Sequence, residues 1–190
     1  MRVYCKTCGY PQTTCLCAHI DSREAPASVL ILQHHREVGH AKNTARLITL
    51  GLSNATVAAG KTREDFSHVE SKVDVQSSAL IYPGEKSQPI ESAAFTSNVP
   101  KTLVFIDGSW RQAFALYSQL PWLSALPQWC FNHAPDSNYT IRHTSQPKSL
   151  STLEAVAYSL KTGYGFDSDP LLALQTAMQN SWQGPAHHRR

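Results

Sequence analysis

The sequence is poor in charge and has no long apolar run. Asp, Glu, Lys and Arg make up 16% of its 190 residues. No stretch approaches the ~18 apolar residues of a membrane-spanning helix, so no membrane partner is expected. Neither Gly-x-Gly-x-x-Gly nor Gly-x-x-x-x-Gly-Lys-Ser/Thr occurs, which argues against a Rossmann dinucleotide site and a P-loop. Internal repeats are absent, which removes solenoids and propellers. Arg2 is not followed by an apolar stretch, so no secretory signal is expected and the expected location is cytoplasmic. A formal charge of +3 permits a nucleic-acid partner without demanding one. The length and the 42% hydrophobic content suit one main domain with a buried core.

Cysteine is scarce and unevenly placed. Of the five, four fall at Cys5, Cys8, Cys15 and Cys17. An odd count in a reducing compartment argues against a disulfide framework. Cys5-x-x-Cys8 has knuckle spacing, and Gly9 permits the tight turn that aims both sulfurs at one ion. With Cys15 and Cys17 it supplies the four thiolates of a closed tetrahedral zinc site, which has no open position and is therefore read as structural. His19 is an alternative ligand, and four unliganded thiols are the plain alternative. The zinc-binding segment is placed at residues 1–22, with the main domain at 23–190. Cys130, in an apolar run, reads as a core residue.

The centre of the chain is Leu103-Val104-Phe105-Ile106-Asp107-Gly108-Ser109-Trp110. Four apolar residues read as a buried strand, and residues 110–120 read as a helix ended by Pro121. Asp107 thus sits where a buried strand stops. In open α/β sheets that is where ligands bind. The competing reading is that Asp107 or Ser109 only caps the helix.

Other loops after strands also carry polar groups. Val29-Leu30-Ile31-Leu32 leads into a stretch with His34, His35, Arg36, Glu37, His40, Lys42, Asn43 and Arg46. Phosphate contact by Arg36, Lys42 and Arg46, and a second metal on His34, Glu37 and His40, are both open. A helix is expected over 44–50, a strand over 55–58, and helical character over 64–71. Ala79-Leu80-Ile81-Tyr82 reads as a strand ending at Pro83-Gly84. Residues 85–101 read as an irregular surface loop, and 129–131 and 139–142 as short strands. Ser151-x-x-Glu154 forms a capping box that opens a helix ended by Gly163. A last helix is expected over 170–182, followed by a basic tail. This order argues for an α/β fold with a mainly parallel sheet and helices on both faces.

Together these motifs resemble the DTW-domain family. The name motif is Asp107-Gly108-Ser109-Trp110, with serine in place of the commoner threonine. The resemblance extends to the four cysteines, to His34-x-x-Glu37 with Asn43-Thr44-x-Arg46-Leu47, to Tyr82-Pro83-Gly84, and to Ser151-Thr152-x-Glu154-Ala155. It implies a tRNA-uridine aminocarboxypropyltransferase that moves the 3-amino-3-carboxypropyl group of S-adenosylmethionine to N3 of a variable-loop uridine in tRNA, releasing methylthioadenosine. It also implies kinship with the SPOUT class, whose C-terminal trefoil knot holds the cofactor.

On this reading Asp107 is the catalytic residue, as base for uridine N3 or as the group that orients N3–H; it could instead hold the cofactor's ammonium. Pro83, Gly84, Ile106, Gly108, Ser109, Trp110, Arg142, Ser151, Thr152 and Glu154 are the expected cofactor-binding residues, and His34, Arg36, Lys42, Asn43 and Arg46 the RNA-binding ones. Trp110 is a base-stacking candidate, although a helix tryptophan is by default a core residue. Methyl transfer from the same donor is the rival enzymatic reading. A zinc-containing RNA-binding module without catalysis is the rival outside enzymology.

Overall fold

The computed structural model describes residues 3–141 and 149–183. Six strands form one all-parallel sheet: β1 (Ser28–His34), β2 (Ala55–Gly60), β3 (Ser78–Ile81), β4 (Gln88–Pro89), β5 (Thr102–Asp107) and β6 (Gln128–Cys130). Their spatial order is β2-β1-β5-β3-β6-β4. Among the described residues six α-helices surround the sheet: α1 (Ala45–Gly51), α2 (Arg63–Glu70), α3 (Ala93–Thr96), α4 (Trp110–Gln119), α5 (Thr152–Tyr164) and α6 (Asp169–Asn180). No described helix is long and apolar enough to cross a membrane.

Both faces of the sheet are covered, which explains why its strands are continuous apolar runs rather than alternating ones. Side chains still alternate in direction along each strand. Val29, Ile31, Leu103 and Phe105 join the larger core with α1, α5 and α6. Leu30, Leu32 and Val104 join the smaller core with Phe66 of α2 and Leu116 of α4. Cys8, Tyr10 and Leu16 from the N-terminal segment belong to the larger core, so that segment packs directly on the sheet domain.

The topology fixes where a ligand fits. After β1 the chain turns through α1, on the larger-core face, to β2 at the outer edge. After β5 it turns through α4, on the opposite face, toward β6. β1 and β5 are neighbours, with Gln33 in register with Asp107. Their connections leave in opposite directions, which makes the C-terminal ends of β1 and β5 the switch point where a crevice opens.

Three expectations need correction. The region 85–101 is not an irregular loop, because it contains β4 and α3 and buries Ile90 and Phe95 completely. Residues 139–141 form no strand. Tyr139 and Ile141 are buried, but the Thr140 backbone N–H donates to Gln179 Oε1 on α6 rather than to a sheet neighbour. Helix α5 does not stop at Gly163. It runs on to Tyr164 and is closed by Gly165, whose φ of 67° is the left-handed geometry a helix terminator needs.

Candidate active site

Asp107 is the last residue of β5 and is 3% exposed. It is not the helix cap. Ser109 caps α4 with its hydroxyl toward the Gln112 N–H, and Gln112 Oε1 receives the Ser109 N–H at 2.6 Å. Glycine at 108 permits this tight approach, since a Cβ there would lie 3.0 Å from Gln112 Cβ.

The Asp107 carboxylate collects donors from three segments. Oδ2 accepts from Asn43 Nδ2 at 2.7 Å and from Gln33 Nε2 at 3.0 Å. Oδ1 accepts from Thr152 Oγ1 at 2.5 Å. Gln33 Nε2 also donates to Asn43 Oδ1, which in turn accepts the Ala45 N–H and starts α1. The end of β1, the start of α1 and the start of α5 are thereby tied to one carboxylate. A carboxylate offers about four acceptor positions. Three are used among the described residues, which leaves one on Oδ1.

A cavity of about 680 Å³ opens over this group, within the range that encloses a nucleoside-sized ligand. Pro83, Ile106, Gly108, Ser109, Trp110, Ser151 and Thr152 all line it beside Asp107. Tyr82, Trp129 and Phe131 supply aromatic wall, and Tyr82 stacks on Tyr117 with centroids 5.0 Å apart. Trp110 is 43% exposed, so it is a surface residue at the cavity and not a core one. Lys42 and Asn43, expected at the RNA, line this cavity too.

Some expected residues lie elsewhere. Gly84 and Glu154 are not on the cavity wall. Glu154 instead accepts from Ser137 Oγ, from the Asn138 N–H and from the Ser151 N–H, each at 2.7 Å, and so holds the 137–139 segment against α5. Of the first amides of α5, Leu153 N–H donates to Thr44 Oγ1 and Glu154 N–H to Ser151 Oγ. The Thr152 N–H remains for an anion among the described residues. Arg142 lies outside the described residues. Arg36 is exposed on the loop after β1. His34 is buried beside Gly108, and burial, with His35 and Arg36 adding, holds its pKa below the usual value. Arg46 is turned to the N-terminal segment, donating from Nη1 to Gly9 O at 3.0 Å.

The four cysteines do converge. Their sulfurs all lie within 4.8 Å of one another, with Cys5–Cys17 at 3.5 Å and Cys8–Cys15 at 3.7 Å. Tetrahedral ligation with Zn–S of about 2.3 Å requires sulfur separations of about 3.8 Å, so the group fits zinc. The electrostatics agree. The backbone N–H groups of Cys8 and Thr7 lower the Cys5 pKa to about 6, while the Cys15 and Cys5 sulfurs push Cys17 up to about 12. Four thiols this close do not all ionise without a cation between them. Among the described residues this is the only such group, and His34, Glu37 and His40 do not come together as a second one.

Gln33 is the site residue that sequence reasoning passed over. Its signal was available: a polar side chain at the end of a strand of apolar residues, beside the strand that ends in Asp107.

A family profile described as the DTW domain matches residues 2–183. Among curated proteins, one from Drosophila melanogaster named tRNA-uridine aminocarboxypropyltransferase 2 is 34% identical over 163 residues, covering 82% of this chain and 64% of that protein. A Mus musculus protein of the same name is 30% identical over 166 residues, covering 84% of this chain and 56% of that protein. The chain thus spans less than two-thirds of the length of these relatives. No solved structure matches it.

Proposed function

The chain belongs to the DTW-domain family, and on that premise we propose that it is a tRNA-modifying transferase. The group moved is the 3-amino-3-carboxypropyl group of S-adenosylmethionine, and the acceptor is N3 of a variable-loop uridine. The names of the relatives support the reaction class. The observation that carries the reading for this chain is the convergence of Asp107, Asn43 and Thr152 on one cavity at the switch point of the sheet.

The chemistry asks for little leaving-group help. The Cγ–S bond of the sulfonium breaks, its electron pair returns to sulfur, and neutral methylthioadenosine departs. A bond forms between N3 and Cγ. The nucleophile needs help, because uridine N3 carries a proton. The acceptor position on Asp107 Oδ1 that no described residue fills takes that N–H, orients it and receives the proton as N3 attacks; positioned bases of this kind contribute ~10²–10⁴-fold. Gln33, Asn43 and Thr152 fix the carboxylate so that no reorientation is needed at that moment.

The adenosine of the donor packs on Tyr82, Trp129 and Phe131, beside Pro83 and Ile106. The Thr152 N–H, at a helix N-terminus, suits the donor's carboxylate. Trp110, exposed at the mouth, suits stacking on a base of the RNA. Arg36 and Lys42 supply cations for the phosphate backbone. A knotted C-terminal half, as in the SPOUT class, belongs to the same reading, and the all-parallel sheet is compatible with it. The zinc held by Cys5, Cys8, Cys15 and Cys17 has no open position and serves structure.

Isotopic labelling tests this. With the label in the carboxyl carbon of the donor, tRNA becomes labelled; with the label in the methyl group, it does not. The reverse pattern means methyl transfer. Binding of tRNA with neither label transferred means a non-catalytic module.

A further inference from the structure

A second cavity, of about 750 Å³, lies on the other side of Asn43. The cavity over Asp107 does not contain it, and Asn43 is the one residue that lines both. The N-terminal zinc segment supplies one wall through Tyr4, Gly9, Tyr10, Pro11, Thr13 and Thr14. Loop residues after β1, Met178 near the end of α6 and Trp182 just beyond that helix supply the others.

Its chemistry is graded from floor to rim. Gln33, Glu37 and Asn43 are each less than a tenth exposed and form a polar floor with Leu16. Gln33 Oε1 accepts no hydrogen bond among the described residues, and Asn43 Nδ2 has given one of its two protons, to Asp107. The floor therefore offers an amide acceptor and an amide donor beside the Glu37 carboxylate. That mixture suits the edge of a base and disfavours a wholly anionic ligand. The rim is exposed and carries Arg46, which spends one N–H on Gly9 O and stacks 5.3 Å over the Tyr10 ring. Trp182 presents an aromatic ring under the Lys42 ammonium, at 5.2 Å. A planar base inward, on an aromatic wall, with its phosphate outward near a guanidinium, is how single-stranded RNA is held.

We propose that this second cavity binds a nucleotide of the RNA strand flanking the reacting uridine, so that the four-cysteine segment forms part of the RNA-reading surface. The inference rests on the function proposed above. The reacting base itself is excluded from this cavity, because attacking and departing atoms must approach to about 3–3.5 Å and so share one chamber with the donor. Gln33 and Asn43 make the floor of one cavity and the clamp on Asp107 in the other. An occupied second cavity therefore steadies the carboxylate that the reaction uses.

The test uses uridine and adenosine 5′-monophosphates with the full chain and needs no turnover. Saturable quenching of tryptophan emission is expected in the wild type, and loss of that component in Trp182→Phe. Thr49→Phe, which adds bulk at an exposed rim position, is expected to abolish the quenching with zinc content and melting temperature unchanged. In transfer assays it should raise KM for tRNA about tenfold, a change of ~1.4 kcal/mol, and leave KM for the donor alone. Absence of Trp182-dependent quenching overturns the proposal, as does a Thr49→Phe effect on donor KM instead of RNA KM. If the wild type quenches but transfers nothing, the cavity assignment stands and the proposed reaction fails.

Discussion

At the scale of single residues, the proposed transfer turns on the one acceptor position of Asp107 that no described residue fills. Asp107→Asn preserves volume but turns an NH₂ toward some of the donors now supplied by Gln33, Asn43 and Thr152. Leaving such groups unpaired costs about 1–3 kcal/mol, and loss of the base should slow transfer by about 10²–10⁴-fold. Single-turnover kinetics read the second effect and thermal melting the first; a variant that melts earlier yet transfers normally would leave Asp107 as a purely structural clamp. Asp107 was legible in the sequence only as a candidate, a charged residue at the end of an apolar strand with helix capping as the competing reading, and the structure gives the cap to Ser109. Its partners were less so: both lie far from it in the chain, and strand register brings Gln33 to it while the turn into α1 brings Asn43. The default reading of Trp110 as core fails, since residue type says nothing about which side of a helix faces the core; it is exposed and lines the cavity. Glu154 was placed at the donor by its motif, whereas its carboxylate is spent on holding a neighbouring segment.

At the scale of elements, the long buried strands and capped helices were readable, and the short pieces were not. β5 and β1 announce themselves as apolar runs. β4 has two residues and α3 four, too few for any periodicity to register. Both exist because Ile90 and Phe95 find places in the core. Gly163 illustrates the same override. A glycine near a helix end reads as a stop, yet α5 continues through it because Phe95 packs against its bare Cα. A Cβ there would come within 2.2 Å of Phe95 Cε1. Gly163→Ala should therefore destabilise by about 1–3 kcal/mol despite alanine's better helix propensity, as overpacking does; an unchanged or raised midpoint in urea would show that Phe95 moves aside freely. The four-cysteine segment is an element of another kind. Cys8 and Leu16 are part of the larger core, so Cys8→Ser should lose zinc and lower the melting temperature together, with metal analysis and calorimetry on the same sample as the check.

At the scale of the whole molecule, a net charge of +3 is small for the RNA binding proposed. Affinity then depends on where the cations lie. Arg36 and Lys42 follow β1, close to the switch point, and each phosphate contact removed should reduce the slope of log K against log salt by about 1. Arg36→Ala and Lys42→Ala are expected to weaken tRNA binding in that way, and titrations at several salt concentrations give the slopes; unaltered slopes would put the phosphate contacts on another face. The central claim is which group leaves the donor. Purified protein, S-adenosylmethionine and unmodified tRNA, followed by mass spectrometry of both the nucleosides and the spent donor, decide it. Methylthioadenosine and a uridine heavier by one aminocarboxypropyl group are the expected products. S-adenosylhomocysteine with a methylated nucleoside would contradict the proposed transfer.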